Sequence, residues 1–588
     1  MSVYKGIYFR GRGIIIPGAY ADVDATSMVP NRLSPANVLA MLGQAKGGVP
    51  NQAVRVLNLR DAVNMLRSGD LKTAAELAYD PSADMPGAGE VIFIRVAGTG
   101  CARSTSDLSS QVTLTAVDYG EHTNFLRRKI EAGSVAGRKI TINHQADDIT
   151  EVYDNIGPVF QIQYVGSASA ARMSFDASTK ILLIEINTGS WVPLVTYTVT
   201  NIAVDTISEL VTILDSHQDL TCNIHKYGSG NMSSSLLDAM TQVDIKTALT
   251  TVSSEVGSLI TWVNNRSALC TAAAGVSATG NFTNSNWTNF VNGSEGSAPD
   301  VAAWSAALAL LESETDVKYI YCATDNESIH TAAIAHCTTQ SDPKVGRERR
   351  LIFGGAASET VDQATTRAIN QGSPRAMLVY PGIKRVNAQT NLLTVIPPYL
   401  TAAAVAGMAA GATPETPLTY KTIKAHGMEK YLKDAEVEQL LQQGVTPIRY
   451  VKEDAIYQIV QSITTWQKDA NVIYRKWSGM GIHDYLRQEA RNTAKPFIGR
   501  VGDMYAMLSI KNAVAAKLDL LTRTPQNPNG VLTKVWDYAK EQVLPAWDNL
   551  LVEWDGYDHV NVSFRAHPVG EIAYITIMCT LEPAKMTV

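Results

Sequence analysis

The amino-acid sequence predicts a multi-domain protein of α/β and α+β class, built on a discontinuous α/β domain that β-rich modules interrupt. Three features point to it. Continuous apolar runs suited to strands buried on both faces occur at residues 38–43 and 91–98 and return at 318–324 and 375–382. The residues between, 100–305, are rich in Ser, Thr, Asn and Gly and carry short alternating runs, the signature of half-buried strands in inserted β-rich domains. Beyond residue 415 the texture changes again, to helices interspersed with strand pairs. With 588 residues, of which 45% are hydrophobic and 18% charged, the chain can bury several cores and is not of disordered composition.

Residues 1–30 hold Gly6, Gly11, Gly13, Pro17, Gly18 and Pro30 with no apolar periodicity, and read as an extended arm. The apolar run Ile14-Ile15-Ile16 stops at Pro17-Gly18, too short for a cleaved signal. Residues 31–99 form the first part of the α/β domain. VLAMLG is a strand; Ala62, Met65 and Leu66 share one helix face, and Leu71, Ala74, Ala75, Leu77 and Ala78 another, with Gly69 as the break; VIFIRVAG is the next strand. In the insertion, VTLTAV, KITIN, PVFQIQYVG, KILLIEIN and LVTYTVT are strands, and ATGNFTNSNWTNFVNGSEGSAP reads as a surface loop.

Residues 306–415 return to the α/β domain: KYIYCAT, RRLIFGG and RAMLVYPG as strands, with SIHTAAIAHC as a helix between the first two. No charge occurs between Arg385 and Glu415, yet the Ala and Gly of TAAAVAGMAAGA are too weakly apolar to span a bilayer, so a buried helix and no membrane insertion are expected. Residues 416–588 form a carboxy-terminal α+β domain. MEKYLKDAEVEQLLQQG reads as a helix closed by Gly444, and TPIRYV and AIYQIVQSI as strands joined across Lys452-Glu453-Asp454. A helix follows over 500–521, with Met504, Leu508, Val514, Leu518 and Leu521 at helical spacing, then two alternating strands about Pro568-Val569-Gly570.

The chemistry is that of a structural protein. Fifty Lys+Arg against 56 Asp+Glu give a net charge of -6, so no basic field favours direct contact with nucleic acid. The six cysteines are scattered, and no nucleophile elbow, zinc motif, phosphate loop or complete dinucleotide fingerprint occurs, so no catalytic residue, metal or cofactor is expected. His330, His336 and Cys337 read as ordinary helix residues, Asp147-Asp148 and Asp22/Asp24 as turns, and PKVGRERR (343–350) as a solvated loop before a strand. The chain ends are unusual. Ile572, Ala573, Tyr574, Ile575, Ile577 and Met578 make a final strand apolar on both faces, which either folds back into its own sheet or pairs with another subunit. An arm of about 20 extended residues reaches roughly 66–72 Å, enough to cross a neighbouring domain.

Several segments resemble the tail sheath proteins of contractile-tailed bacteriophages, in particular the large multi-domain sheaths of phages of Gram-positive hosts. They are IIPGAYADVD, VLAMLGQAKGGVPNQAVRVLNLRDAVNMLRSGDLKTAAELAY, VIFIRV, EVYDNIGPVFQIQYVG, PPYLTAAAVAGMAAG, LKDAEVEQLLQQGVTPIRYV, PFIGRV and VSFRAHPVGEIAYITIMCTLEP, in family order along most of the chain. The resemblance implies a homo-oligomer of stacked hexameric rings in a helical sheath around a tail tube, assembled in the host cytoplasm and joined to baseplate and tail terminator proteins. A tailocin or other phage-like injection device is the alternative within that class, and an α/β enzyme with a ligand at the strand ends of the discontinuous domain the alternative outside it. The resemblance further implies that the core carboxy-terminal domain is completed by strands from neighbouring subunits. Carried onto this chain, the donors are Gly18, Ala19, Tyr20, Ala21, Asp22 and Val23, and Ala573, Tyr574, Ile575, Thr576, Ile577, Met578, Cys579, Thr580 and Leu581. The acceptors are Ile448, Tyr450, Val451, Ile456 and Ile459, and the tail-tube contacts Arg500, Lys511 and Lys517 on helix 500–521. Residues 1–14 have no counterpart in the family pattern.

Overall fold

The computed structural model describes residues 7–9, 12–14, 37–200, 204–386 and 391–573. Donor residues Gly18–Val23 and Tyr574–Leu581 lie outside them. Within the arm, Ile7–Phe9 pairs antiparallel with Arg12–Ile14, a two-stranded ribbon in a unit distinct from the rest of the chain.

From Asn37 onward an eight-stranded sheet organises the fold. Its strands are β1 (Val38–Gly43), β2 (Ala53–Val56), β3 (Val91–Arg95), β4 (Val317–Cys322), β5 (Arg350–Gly354), β6 (Ala376–Tyr380), β7 (Val445–Val451) and β8 (Ile456–Ile459). The spatial order is β8-β7-β6-β5-β4-β1-β3-β2. The six inner strands run parallel, and the edge strands β2 and β8 run antiparallel to their neighbours. β1, β3, β5 and β6 are buried at every position, as continuous apolar runs between two helix layers must be. One layer holds α1 (Leu59–Leu66), α2 (Asp70–Tyr79) and α5 (Pro398–Gly411); the other holds Val301–Leu310, α3 (Glu327–Gln340), α4 (Val361–Gln371) and α6 (Asp434–Gln442). The predicted faces of α1 and α2 point inward, apart from Met65, which is only partly buried.

The charge-free stretch is α5, buried along nearly its whole length. Small side chains let it approach α2 closely: a Cβ on Gly407 would lie 2.1 Å from the Ala78 carbonyl oxygen. Gly407→Ala therefore forces the helices apart, and we expect a loss of about 1–3 kcal/mol in denaturant unfolding with secondary structure retained.

The insertion between β3 and β4 holds two nested cores. Val159, Phe160, Met173, Phe175, Leu182 and Leu210 belong to one, drawn from residues 159–252. The other combines chain from both sides of it, packing Val112, Ile140 and Ile156 with Val256, Leu259 and Phe290. The Asn- and Ser-rich stretch expected to be a surface loop instead supplies Ser285–Asn289 and Ser294–Glu295 as strands and buries Phe282 and Phe290. Two aromatic anchors outweigh its polar composition.

The sheet does not stop at residue 415, because β7 and β8 extend it to Ile459. α6 starts at Asp434, later than the periodicity implied, and Gly444 takes the expected position past its end with φ +80°. Beyond the sheet, α7 (Trp477–Ala494), α8 (Met504–Leu521) and the hairpin Trp547–Trp554/Val560–Ala566 enclose a smaller core of Ile482, Ile510, Val514, Leu518 and Leu521. α8 begins at Met504, capped by the Asp503 side chain, so Arg500 precedes the helix rather than lying on it. Met504 and Leu508, expected in the core, are exposed. Val560–Ala566 pairs upstream with Trp547–Trp554, and the strand expected beyond the Pro568-Val569-Gly570 turn lies outside the described residues from Tyr574 on.

Candidate assembly surfaces

The predicted acceptor residues Ile448, Tyr450, Val451, Ile456 and Ile459 come together as the hairpin β7–β8, with Ile448 opposite Ile459, Tyr450 opposite Tyr457 and Val451 opposite Ile456. The two strands are not equally available. Outside β8, Tyr420 N–H donates to the Ile459 carbonyl, Ile459 N–H to Lys421, and Ile423 N–H to Tyr457, so this chain's own residues 420–423 cover that edge. β7 differs: its ladder with β6 ends at Tyr380 opposite Pro447. The Tyr457 carbonyl points away from β7, so Tyr450 and Tyr457 form a non-hydrogen-bonded pair and the Tyr450 N–H and C=O face the opposite edge. No strand among the described residues pairs with Tyr450 there. The Tyr450 ring meets Tyr431 edge-to-face and Tyr457 at a tilt, with ring centroids 6.2 and 5.0 Å apart.

Buried ion pairs hold α7 to the sheet. Arg375, just before β6, meets Asp484 on α7 through two hydrogen bonds of 2.9 and 3.1 Å. Arg350, at the start of β5, donates to the Trp477 carbonyl at 2.7 Å and stacks 4.2 Å from the Trp477 ring. Buried Glu348 pairs with Arg491 and Arg487. Burial raises the Asp484 pKa, but hydrogen bonding from His483 and the charges of Arg375 and Arg350 outweigh it and hold the carboxyl below its usual range. The run PKVGRERR, expected to be solvated, is so only over its first half. Glu348 and Arg350 are buried because α7, 130 or so residues downstream in sequence, covers them, while the buried Arg349 guanidinium turns to His336 and the Leu311 and Glu314 carbonyls.

Arg349 also fixes a neighbouring histidine. Its guanidinium lies 2.7 Å from His336 Nε2, which must accept and so stay neutral; the neighbouring burial and the arginine charge lower the His336 pKa to about 4. His330, wholly buried against Phe353 and 2.9 Å from the Thr324 carbonyl, is lowered by burial to about 3. Both are neutral when folded and near 6.5 when unfolded, so below that pH the unfolded chain binds protons that the native one refuses. Stability is therefore complete above about pH 6.5 and falls as pH drops toward 3, by up to about 1.4 kcal/mol per pH unit for each histidine. Urea midpoints at pH 7.5 and 5.5 are expected to show this fall, and His330→Leu to reduce it.

The predicted tube contacts are not equivalent. Lys511 is exposed on α8, and Arg500 is exposed with its guanidinium 5.1 Å from the Phe497 ring. Lys517 is partly buried and paired with Glu489 of α7. Around Arg500, Ile498, Val501, Tyr505 and Tyr557 are largely exposed beside a cleft of about 380 Å³ that reaches Phe497, Met507 and Trp554.

Comparison with known proteins follows the same fold. The model of the phage tail sheath protein central domain matches residues 297–465, which contain β4 to β8. The tail sheath protein of Bacillus phage SP01 is 30% identical over 532 residues, covering 88% of this chain and 90% of its own. The chain belongs to the phage tail sheath family. The putative tail sheath protein of Enterococcus phage phiEF24C is 27% identical and covers 98% of this sheath protein and 99% of its own length. The sheath tail protein of Desulfitobacterium hafniense shares the fold at a TM-score of 0.52, with 13% identity, 94% of this chain covered and all of that one. The protein is thus a structural subunit of a tail sheath, a component of the virion tail and not an enzyme. Sequence reasoning missed Arg350, Arg375 and Asp484 as the clamp on α7 and the backbone of Tyr450, unpaired among the described residues. Arginines directly before strands were a signal for the first; nothing in the sequence announces the second.

Proposed function

We propose that this sheath protein polymerises as stacked hexameric rings around a tail tube and contracts from a metastable extended lattice, driving the tube through the host envelope. The observation that carries it is the β7 edge at Tyr450, open among the described residues, in a chain of this family. An unpaired strand edge invites another chain, and the β8 edge is already taken by residues 420–423. In this reading Gly18–Val23 and Ala573–Leu581 are exchanged between subunits, with Ile448, Tyr450 and Val451 receiving and Ile456 and Ile459 backing the hairpin. Arg500 and Lys511 contact the tube, and Lys517 joins them only by releasing Glu489.

The chain divides functionally into an arm (1–30), a sheath domain in two parts (31–99 and 306–415), an insertion (100–305) and a core domain (416–588), the last lending β7 and β8 to the sheath domain's sheet. Partners are the tube, baseplate and terminator proteins, and assembly takes place in the host cytoplasm. Contraction needs no bound nucleotide: each subunit gains a few kcal/mol, roughly, on passing between two lattices, and coupling sums these gains along the tail. Negative-stain electron microscopy of the purified full-length protein at high concentration tests this. Hollow cylinders of stacked rings are expected; a small closed oligomer that never polymerises overturns it.

A further inference from the structure

Near the carboxy-terminal limit of the described residues one carboxylate behaves unlike its surroundings. Gly570 is exposed and Ile572 is 81% exposed, yet the Glu571 side chain between them is only 6% exposed. It forms an ion pair with Lys476, the residue preceding α7, and lies 3.4 Å from both the Thr419 and Ser478 hydroxyls. Thr419 Oγ1 in turn accepts from Ser462 N–H at 3.1 Å, and the next residue, Tyr420, begins the segment that covers β8. One carboxylate therefore ties together the edge-covering segment, the chain leaving β8 and the first turn of α7. Taking a carboxylate out of water costs several kcal/mol unless it is paired, and no apolar packing at Gly570 or Ile572 accounts for holding it there.

We propose that Glu571 is a positioning residue that roots the exchanged carboxy-terminal strand on its own subunit; this rests on the strand exchange proposed above. The root fixes where the chain departs. The first donor residue, Ala573, lies two residues beyond it and can be no more than about 7 Å from Glu571. Without the root, the tether starts at Val569, whose N–H donates to the Val531 carbonyl, and gains two residues, or about 7 Å of slack. A neighbour's receiving strand must then sit directly against the base of the β7–β8 hairpin, and pull on the strand is delivered to α7 and β8 rather than taken up by loose chain.

The test uses the full-length protein with Glu571→Ala, the charge-swapped pair Glu571→Lys with Lys476→Glu, and a truncation ending at Ala573. In unassembled protein, Glu571→Ala is expected to raise amide hydrogen exchange at least tenfold at Ser462, Tyr420 and Ile423, whose N–H groups bond at Thr419 and along β8, while the truncation keeps wild-type protection. Sheaths of Glu571→Ala are expected to form, because the donor strand is intact, but to be shorter and to come apart at lower urea; the swapped pair is expected to restore both exchange and sheath resistance. Unchanged exchange in Glu571→Ala overturns the root, and so does raised exchange with sheaths of wild-type length and resistance. Normal polymerisation of the truncation instead overturns strand exchange and leaves the exchange result at Glu571 standing, which separates the two failures.

Discussion

Tyr450→Pro is expected to leave the subunit folded and to stop it polymerising. Proline removes the Tyr450 N–H, which faces the β7 edge left unpaired among the described residues and makes no ladder bond to β8. The hairpin keeps its hydrogen-bonded pairs, Arg449 with Gln458 and Val451 with Ile456. An incoming strand, by contrast, loses a backbone donor and meets the proline ring, the means by which natural edge strands refuse partners. The tyrosine ring is lost as well, at a cost of about 1 kcal/mol in ring contacts with Tyr431 and Tyr457. Tyr450→Ala removes the same ring and keeps the N–H, so it is expected to polymerise where Tyr450→Pro does not. Arg449→Pro breaks an internal bond and is expected to lower the unfolding midpoint instead. If Tyr450→Pro forms long sheaths in electron micrographs, strand addition at β7 is wrong.

Asp484→Ala is expected to destabilise the protein by about 3–5 kcal/mol, because it strands buried Arg375 and Arg350 without their shared carboxylate. The loss falls on the seam between α7 and the sheet, so denaturant unfolding followed at Trp477, which packs on Arg350, shows the midpoint shift directly. Arg375→Met in the same chain removes one stranded charge and is expected to recover much of the loss. If Asp484→Ala unfolds at the wild-type midpoint, the ion pair is not what fastens α7, and packing of Ile482 and Trp477 must carry that seam.

Much of the fold was legible because it rests on local patterns. The strands at 38–43, 91–95, 317–322, 350–354 and 376–380 are predominantly apolar, with charges only at Arg95, Lys318 and Arg350, because helices cover both faces, and that signature needs no knowledge of the neighbours. The Ala-rich helix and the faces of α1 and α2 followed from spacing in the same way. The basic run 343–350 misled, since a string of charges looks solvated unless the groups that meet it, here Asp484 against Arg350 and Arg491 against Glu348, are known to lie close in space. Residues 278–299 misled in the same sense: Phe282 and Phe290 are buried by strands from elsewhere in the insertion.

By itself the sequence determined the element types, the interruption of an α/β domain by a β-rich insertion, the absence of recognisable catalytic motifs and, through the order of its segments, the family. All of these depend on residues close together along the chain or on resemblance summed over it. Only the tertiary structure decided that the insertion holds two nested cores, that α7 is fastened by Arg375 and Asp484, and that among the described residues β7 is open at Tyr450 while residues 420–423 close β8. Each of these is set by which backbone groups and charges meet across long sequence separations, and a backbone N–H carries no mark in the sequence of whether it has found a partner.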